Sequence, residues 1–177
     1  MNKRLILETL LALTLIAAFL GAFNGAFAVD KPFRVGVTAG PHAQIVEVAK
    51  KVAAKDGLDV QIVESTDFIQ PNAALAQEQL DANVYQHLPF LETQNRDRGY
   101  KLVSVAPAVR QQMGIYSKIK DSLALENPNT PYVTVVIATR DGQQNDPALR
   151  KFVKAYQLPE VKQFIDAQFK GAYRAAW

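Results

Sequence analysis

Hydrophobic positions along the chain switch repeatedly between the two-residue rhythm of a strand and the slower rhythm of a helix. Phe33 to Thr38 (FRVGVT) alternates and is rich in valine, which predicts a strand. Gly40-Pro41 then punctuates, and proline suits a first helical turn, where its missing N–H costs nothing. Ile45, Val48, Ala49, Val52 and Ala53 follow at helical spacing, and Gly57 stops the run. Leu58 to Val63 (LDVQIV) predicts a second strand. The opening order strand–helix–strand is the signature of a parallel α/β sheet.

The alternation continues. Pro71 opens a predicted helix that buries Ala74, Leu75 and Leu80, and Asn83 to Tyr85 is a short strand. Pro89 opens a helix through Leu91 to about Arg98. Leu102 to Val105 and Met113 to Tyr116 read as strands. Tyr132 to Thr139 (YVTVVIAT) is β-branched and nearly all apolar, as a strand buried on both faces should be. Asp146-Pro147 caps and opens a helix carrying Leu149, Phe152, Val153 and Tyr156. Pro159 opens the last, with Val161, Phe164, Ile165 and Phe169 on one face and Gly171 after it. Lys118 to Pro131 is the one irregular stretch.

Three of the strand-to-helix junctions, at Gly40, Gln70 and Gln86, should lie along the carboxyl edge of one sheet, where open α/β sheets bind ligands. The third belongs to LDANVYQHLPFLET (residues 80–93), which crowds Tyr85, Gln86, His87 and Phe90 together. A core strand has no use for Gln86 and His87, and a surface turn has little use for two aromatics. A cleft suits both. From spacing alone, Phe68, Tyr85 and Phe90 fit either a core or a cleft, and His87 either a backbone-bonded histidine or a ligand contact.

The N-terminus alters the picture of what folds. MNKR is basic, Thr9 to Val29 carries no charge, and Ala26-Phe27-Ala28 supplies the small-x-small pattern of a cleavage site. Residues 1–28 are expected to be a signal peptide or, if uncut, a membrane anchor. Residues 29–177 then form a single α/β lobe of ordinary domain size, exported to the periplasm or cell envelope.

Composition removes several functions. The chain has no cysteine, so disulfides, thiol catalysis, Cys-based metal sites and lipidation on cysteine are excluded. Two histidines, His42 and His87, are too few for a His-rich metal site. The formal net charge is +3, and the charges are interspersed, without the basic stripe a nucleic-acid binder needs. No nucleophile elbow, P-loop or H-E-x-x-H occurs, and Gly36…Gly40 lacks the third glycine of a dinucleotide fingerprint. Neither an enzyme, a cofactor nor a metal is expected.

Six blocks then carry a resemblance. VTAGPHAQIVE, STDFIQPNAALAQ, LDANVYQHLPFLE and MGIYSKIK resemble, in order, the first half of the methionine-binding lipoproteins of ABC importers, the NlpA family. PYVTVVIATRDG and DPALRKFVKAYQLPEVKQFIDAQFKGA, with the final Ala-Ala-Trp, resemble that family's C-terminus. The resemblance implies one lobe of a type II periplasmic binding protein-like fold, with a mainly parallel sheet flanked by helices. Two such lobes close on a free amino acid. The first supplies an aromatic wall for the methionine side chain, which here falls on Phe68, Tyr85, His87 and Phe90, with Gln70 and Asn72 on the same rim. A polarizable thioether suits such rings.

Two departures from the family pattern matter. The lipobox cysteine is absent, so no lipid anchor through cysteine is expected. Residues 121–126 (DSLALE) join sequence that leads out of the first lobe to sequence that leads back into it. The second lobe, with its Arg and Asn contacts to the ligand, has no counterpart here. The resemblance therefore implies a truncated, weakly binding substrate-binding component that works with an importer's membrane subunits. The alternatives are a non-binding interaction module or a decayed remnant, and the open cleft face would also suit self-association.

Overall fold

The computed structural model describes residues 31–111, 114–115, 123–124 and 131–177. These residues fall within one compact unit, Lys31–Trp177. The predicted leader (residues 1–28) lies outside them. So does the predicted seam, except for Leu123 and Ala124.

The elements follow the sequence pattern closely at first. Strand β1 is Phe33–Thr38, helix α1 is Pro41–Lys55, β2 is Val60–Ser65 and α2 is Gln70–Ala76. Next come β3 (Ala82–His87), α3 (Leu88–Arg98) and β4 (Leu102–Gln111). Two short strands, β5 (Gly114–Ile115) and β6 (Leu123–Ala124), pair with each other. A single 3-10 turn then leads into β7 (Thr134–Arg140), α4 (Pro147–Tyr156), α5 (Pro159–Phe169) and β8 (Tyr173–Ala175).

Six strands form one sheet in the order β2-β1-β3-β7-β4-β8. The sheet is mixed. β1 pairs in parallel with β2 and β3, whereas β7 is antiparallel to both β3 and β4, and β8 is antiparallel to β4. The first three strands are linked by crossover helices, which is what parallel pairing demands. β4, by contrast, leaves the sheet at Gln111, and β7 enters beside Arg110, at the same end. A chain that returns at the end it left must run back antiparallel.

Helices α1, α4 and α5 cover one face, burying Ile45, Val46, Ala49, Leu149, Phe152, Val161 and Ile165 against Val35, Val37, Val84 and Ile137. The other face is covered by α2 and α3 through Leu75, Leu80 and Leu91, packed on Val136 and Ala138. β7 is therefore buried on both faces, as its unbroken apolar run predicts. Each fully buried Val, Leu or Ile in these layers contributes about 1.5–3 kcal/mol.

Some boundaries differ from the pattern. α2 ends at Ala76, so Leu80 reaches the core from the turn that follows. β4 runs through Pro107 to Gln111, past the predicted end at Val105. Only Val109–Gln111 pair with β8, so at Pro107 no ladder on that side needs the missing N–H.

Candidate functional site

A groove of about 270 Å³ opens at the carboxyl edge of the sheet, lined by Phe68, Tyr85, Gln86, His87, Phe90 and Gln111. Four elements meet there: the loop after β2, the end of β3, the first turn of α3 and the end of β4.

A bulge explains how three consecutive residues of β3 share this groove. Val84 pairs with Ile137 and Gln86 with Val136, which leaves Tyr85 unmatched. Successive side chains of a regular strand point to opposite faces, and an extra residue breaks that rule locally. Tyr85, Gln86 and His87 can then all border one cavity.

The rings are held from behind. Tyr85 is only 3% exposed, and its hydroxyl donates to the Phe68 carbonyl at 3.0 Å. Burial, reinforced by the Asp67 carboxylate, pushes the Tyr85 phenol well above its ordinary range, so it stays protonated as a donor. Phe68 itself is 62% exposed and stacks on Tyr85, with ring centroids 6.4 Å apart and planes 26° from parallel. Phe90 meets Tyr85 edge-on at 6.4 Å. The exposed Phe68 does not rely on packing for its position. Asp67 fixes its loop by accepting from the N–H groups of Ile69 (2.7 Å) and Gln70 (2.8 Å).

Behind Gln86 lies a buried amide triad. Asn72 Nδ2 donates to Gln86 Oε1 at 2.7 Å, and Gln86 Nε2 donates back to Asn72 Oδ1 at 2.7 Å and to Asn83 Oδ1 at 3.1 Å. Asn83 Nδ2 donates to Asn72 Oδ1 at 2.9 Å and to the Pro71 carbonyl at 3.3 Å. Both donors of the Gln86 amide are thus consumed inside the protein. His87 Nε2 lies 3.4 Å from Gln111 Nε2, a contact in which one nitrogen donates and the other accepts. The groove wall therefore offers mainly rings and hydrocarbon, with the Gln86 amide and the Tyr85 hydroxyl turned to partners within the lobe.

The six residues singled out in the sequence separate into two groups. Phe68, Tyr85, His87 and Phe90 line the groove together. Gln70 is exposed on α2, and Asn72 is fully buried in the triad; neither borders the groove. The family resemblance implies both on the rim beside Phe68. The helix turns about 100° per residue, which carries Gln70 outward and Asn72 inward. Asn83 and Gln111 were not singled out. A buried Asn in a strand has no local signature, and Gln111 lay beyond the predicted end of its strand.

Near the same edge, His42 is buried in the first turn of α1, its ring edge-on to Tyr173 at 5.8 Å. Its Nδ1 has no hydrogen-bond partner among the described residues. Burial first, and the charge of His87 second, pull its pKa from 6.5 to about 4, so it is neutral at ordinary pH. Among the described residues no cluster of His, Asp or Glu is placed to hold a metal ion.

Comparison with known proteins gives the family of this lobe. The family model described as NlpA lipoprotein matches in two pieces, residues 33–124 and 118–177. Outer membrane lipoprotein 2 of Mannheimia haemolytica is 44% identical over 106 residues, covering 55% of this chain and 38% of that protein. The D-methionine-binding lipoprotein MetQ of Escherichia coli K12 is 42% identical over 106 residues, covering 55% and 39% respectively. The chain spans about two fifths of the length of these curated relatives. Among solved structures, a nutrient binding protein from Burkholderia cenocepacia bound to methionine overlays with a TM-score of 0.77 at 28% identity, across 82% of this chain and 100% of that one. The relatives are lipoproteins and substrate-binding proteins of transport systems rather than enzymes. With the family model matched, in its two pieces, along all of residues 33–177, the chain belongs to the NlpA lipoprotein family.

Proposed function

We propose that this lobe is a truncated, weakly binding substrate-binding component of an ABC importer, and that its groove takes the side chain of methionine or a related apolar amino acid. The observation that carries the proposal is the groove wall. Phe68, Tyr85 and Phe90 offer ring surface, while the amide of Gln86 and the hydroxyl of Tyr85 are already paired within the lobe. Such a wall favours a polarizable apolar chain, about 0.3–1.5 kcal/mol for each thioether–ring contact. The relatives, which include D-methionine-binding lipoproteins, support the same substrate.

Weak binding follows from what the groove lacks. Among the described residues its lining contains no arginine or lysine to hold a ligand carboxylate. A charge-assisted hydrogen bond contributes about 1.5–3 kcal/mol, and an open groove leaves the ligand half in water. Together these support an affinity two or more powers of ten below that of a closed, two-lobed clamp, on the order of a millimolar dissociation constant. The two-piece family match, whose pieces overlap at residues 118–124, supports the reading that a second lobe is missing at residues 121–126. Residues 1–28 act in this proposal as the export signal, and the importer's membrane subunits are the partner. Calorimetry with L-methionine tests the proposal: weak, saturable heat is expected, and submicromolar affinity contradicts it.

A further inference from the structure

Asn72 and Asn83 do not border the groove, yet they connect its two walls. Asn72 sits in the first turn of α2, directly after the loop that carries Phe68. Asn83 sits on β3, two residues before the bulged Tyr85. Five hydrogen bonds of 2.7–3.3 Å join Asn72, Asn83, Gln86 and the Pro71 carbonyl, and all three side chains are essentially removed from solvent. A purely apolar contact at this point would hold the helix on the sheet equally well. It would not fix the helix along the strand, because hydrophobic packing is non-directional, whereas amide pairs have one geometry. On the groove side the bond from Tyr85 to the Phe68 carbonyl performs the same task.

We propose that Asn72 and Asn83 are positioning residues of the groove: through Gln86 they lock the α2 turn to β3 and so set where the Phe68 ring lies against Tyr85. The inference rests on the functional reading above for its consequence, the binding of an apolar side chain. It does not rest on that reading for its geometry. The triad also holds the Gln86 amide away from the groove, so that this residue presents its methylenes to the ligand.

The test separates positioning from folding. In the triple variant N72L/N83L/Q86L the three polar groups are removed together. Replacing all partners of a buried hydrogen-bonded group by apolar residues of similar size is close to neutral for stability. The variant is expected to melt at or above the temperature of the unmodified lobe. Nuclear Overhauser contacts between the Phe68 and Tyr85 rings, measured without ligand, should disappear or broaden, and methionine-induced shifts should fall roughly tenfold. A second variant, Asn83→Asp, keeps the size of the side chain but removes its donors, and should weaken the same ring contacts if the triple variant fails to fold. Unchanged ring-to-ring contacts in a folded variant overturn the proposal. Because that readout needs no ligand, it stands even if the unmodified lobe gives no response to methionine, a result that would count against the functional reading alone.

Discussion

The stability of the lobe should depend on a single histidine between pH 7 and pH 4.5. His42 is 6% exposed, with its Nδ1 unpartnered, and burial together with the charge of His87 lowers its pKa from 6.5 to about 4. In the unfolded chain the same ring takes up a proton near 6.5. Between these two values the unfolded state binds more protons, so stability rises with pH. The contribution is fully present above pH 6.5 and is lost as the pH falls toward 4. At the limit it amounts to about 3 kcal/mol, the free-energy equivalent of the displaced pKa, and most of it is gone by pH 4.5. Carboxylates titrate in the same range, so the assay must be differential. Urea unfolding of the unmodified protein and of His42→Phe is compared at the two pH values. Trp177, 5.5 Å from the buried Tyr156, serves as a fluorescence probe. The unmodified protein should lose about 2–3 kcal/mol more than the variant. Equal losses would refute the claim that a buried neutral imidazole underlies the acid sensitivity.

Three further outcomes follow from the packing. Tyr156 is fully buried with its hydroxyl unpartnered, so Tyr156→Phe should leave stability unchanged or raise it by about 1 kcal/mol in a urea titration; a comparable loss would reveal a partner for the hydroxyl. A Cβ at Gly36 would fall inside van der Waals contact of Leu80 Cδ1, and Leu80 is itself buried, so Gly36→Ala should cost about 1–3 kcal/mol, seen as a lower melting temperature. Phe68 is largely exposed, and its loop is held by Asp67 and Tyr85, so Phe68→Ala should change stability by less than about 0.5 kcal/mol. The same substitution should abolish methionine-induced shifts at Tyr85 and Phe90.

The legible parts of the fold were those whose local pattern and tertiary setting agree. FRVGVT is legible because Phe33, Val35 and Val37, at every second position, enter the core beneath α1, α4 and α5, and YVTVVIAT is nearly all apolar because β7 is central and buried on both faces. β8 left no trace. Tyr-Arg-Ala is three residues long, lies at a sheet edge and alternates in neither polarity nor burial strongly enough to stand out. The antiparallel entry of β7 was likewise invisible, since strand direction depends on which end of the sheet the chain returns to. In the site, the aromatic and histidine positions were legible as a cluster that fits neither core nor surface. The triad was not. Asn72 and Asn83 meet only after α2 docks on β3, and no spacing in the sequence announces a reciprocal amide pair. Gln70, which the resemblance puts on the rim, is exposed on α2 outside the groove lining.

The central claim is that an aromatic groove at the sheet edge of this lobe grips an apolar amino-acid side chain from one side. A heteronuclear NMR titration of the purified protein with L-methionine tests it most directly. The account predicts fast-exchange shifts confined to Phe68, Tyr85, Gln86, His87, Phe90 and Gln111, saturating on the order of millimolar ligand. Shifts scattered elsewhere on the lobe, or none at these six residues at saturating concentrations, would contradict it.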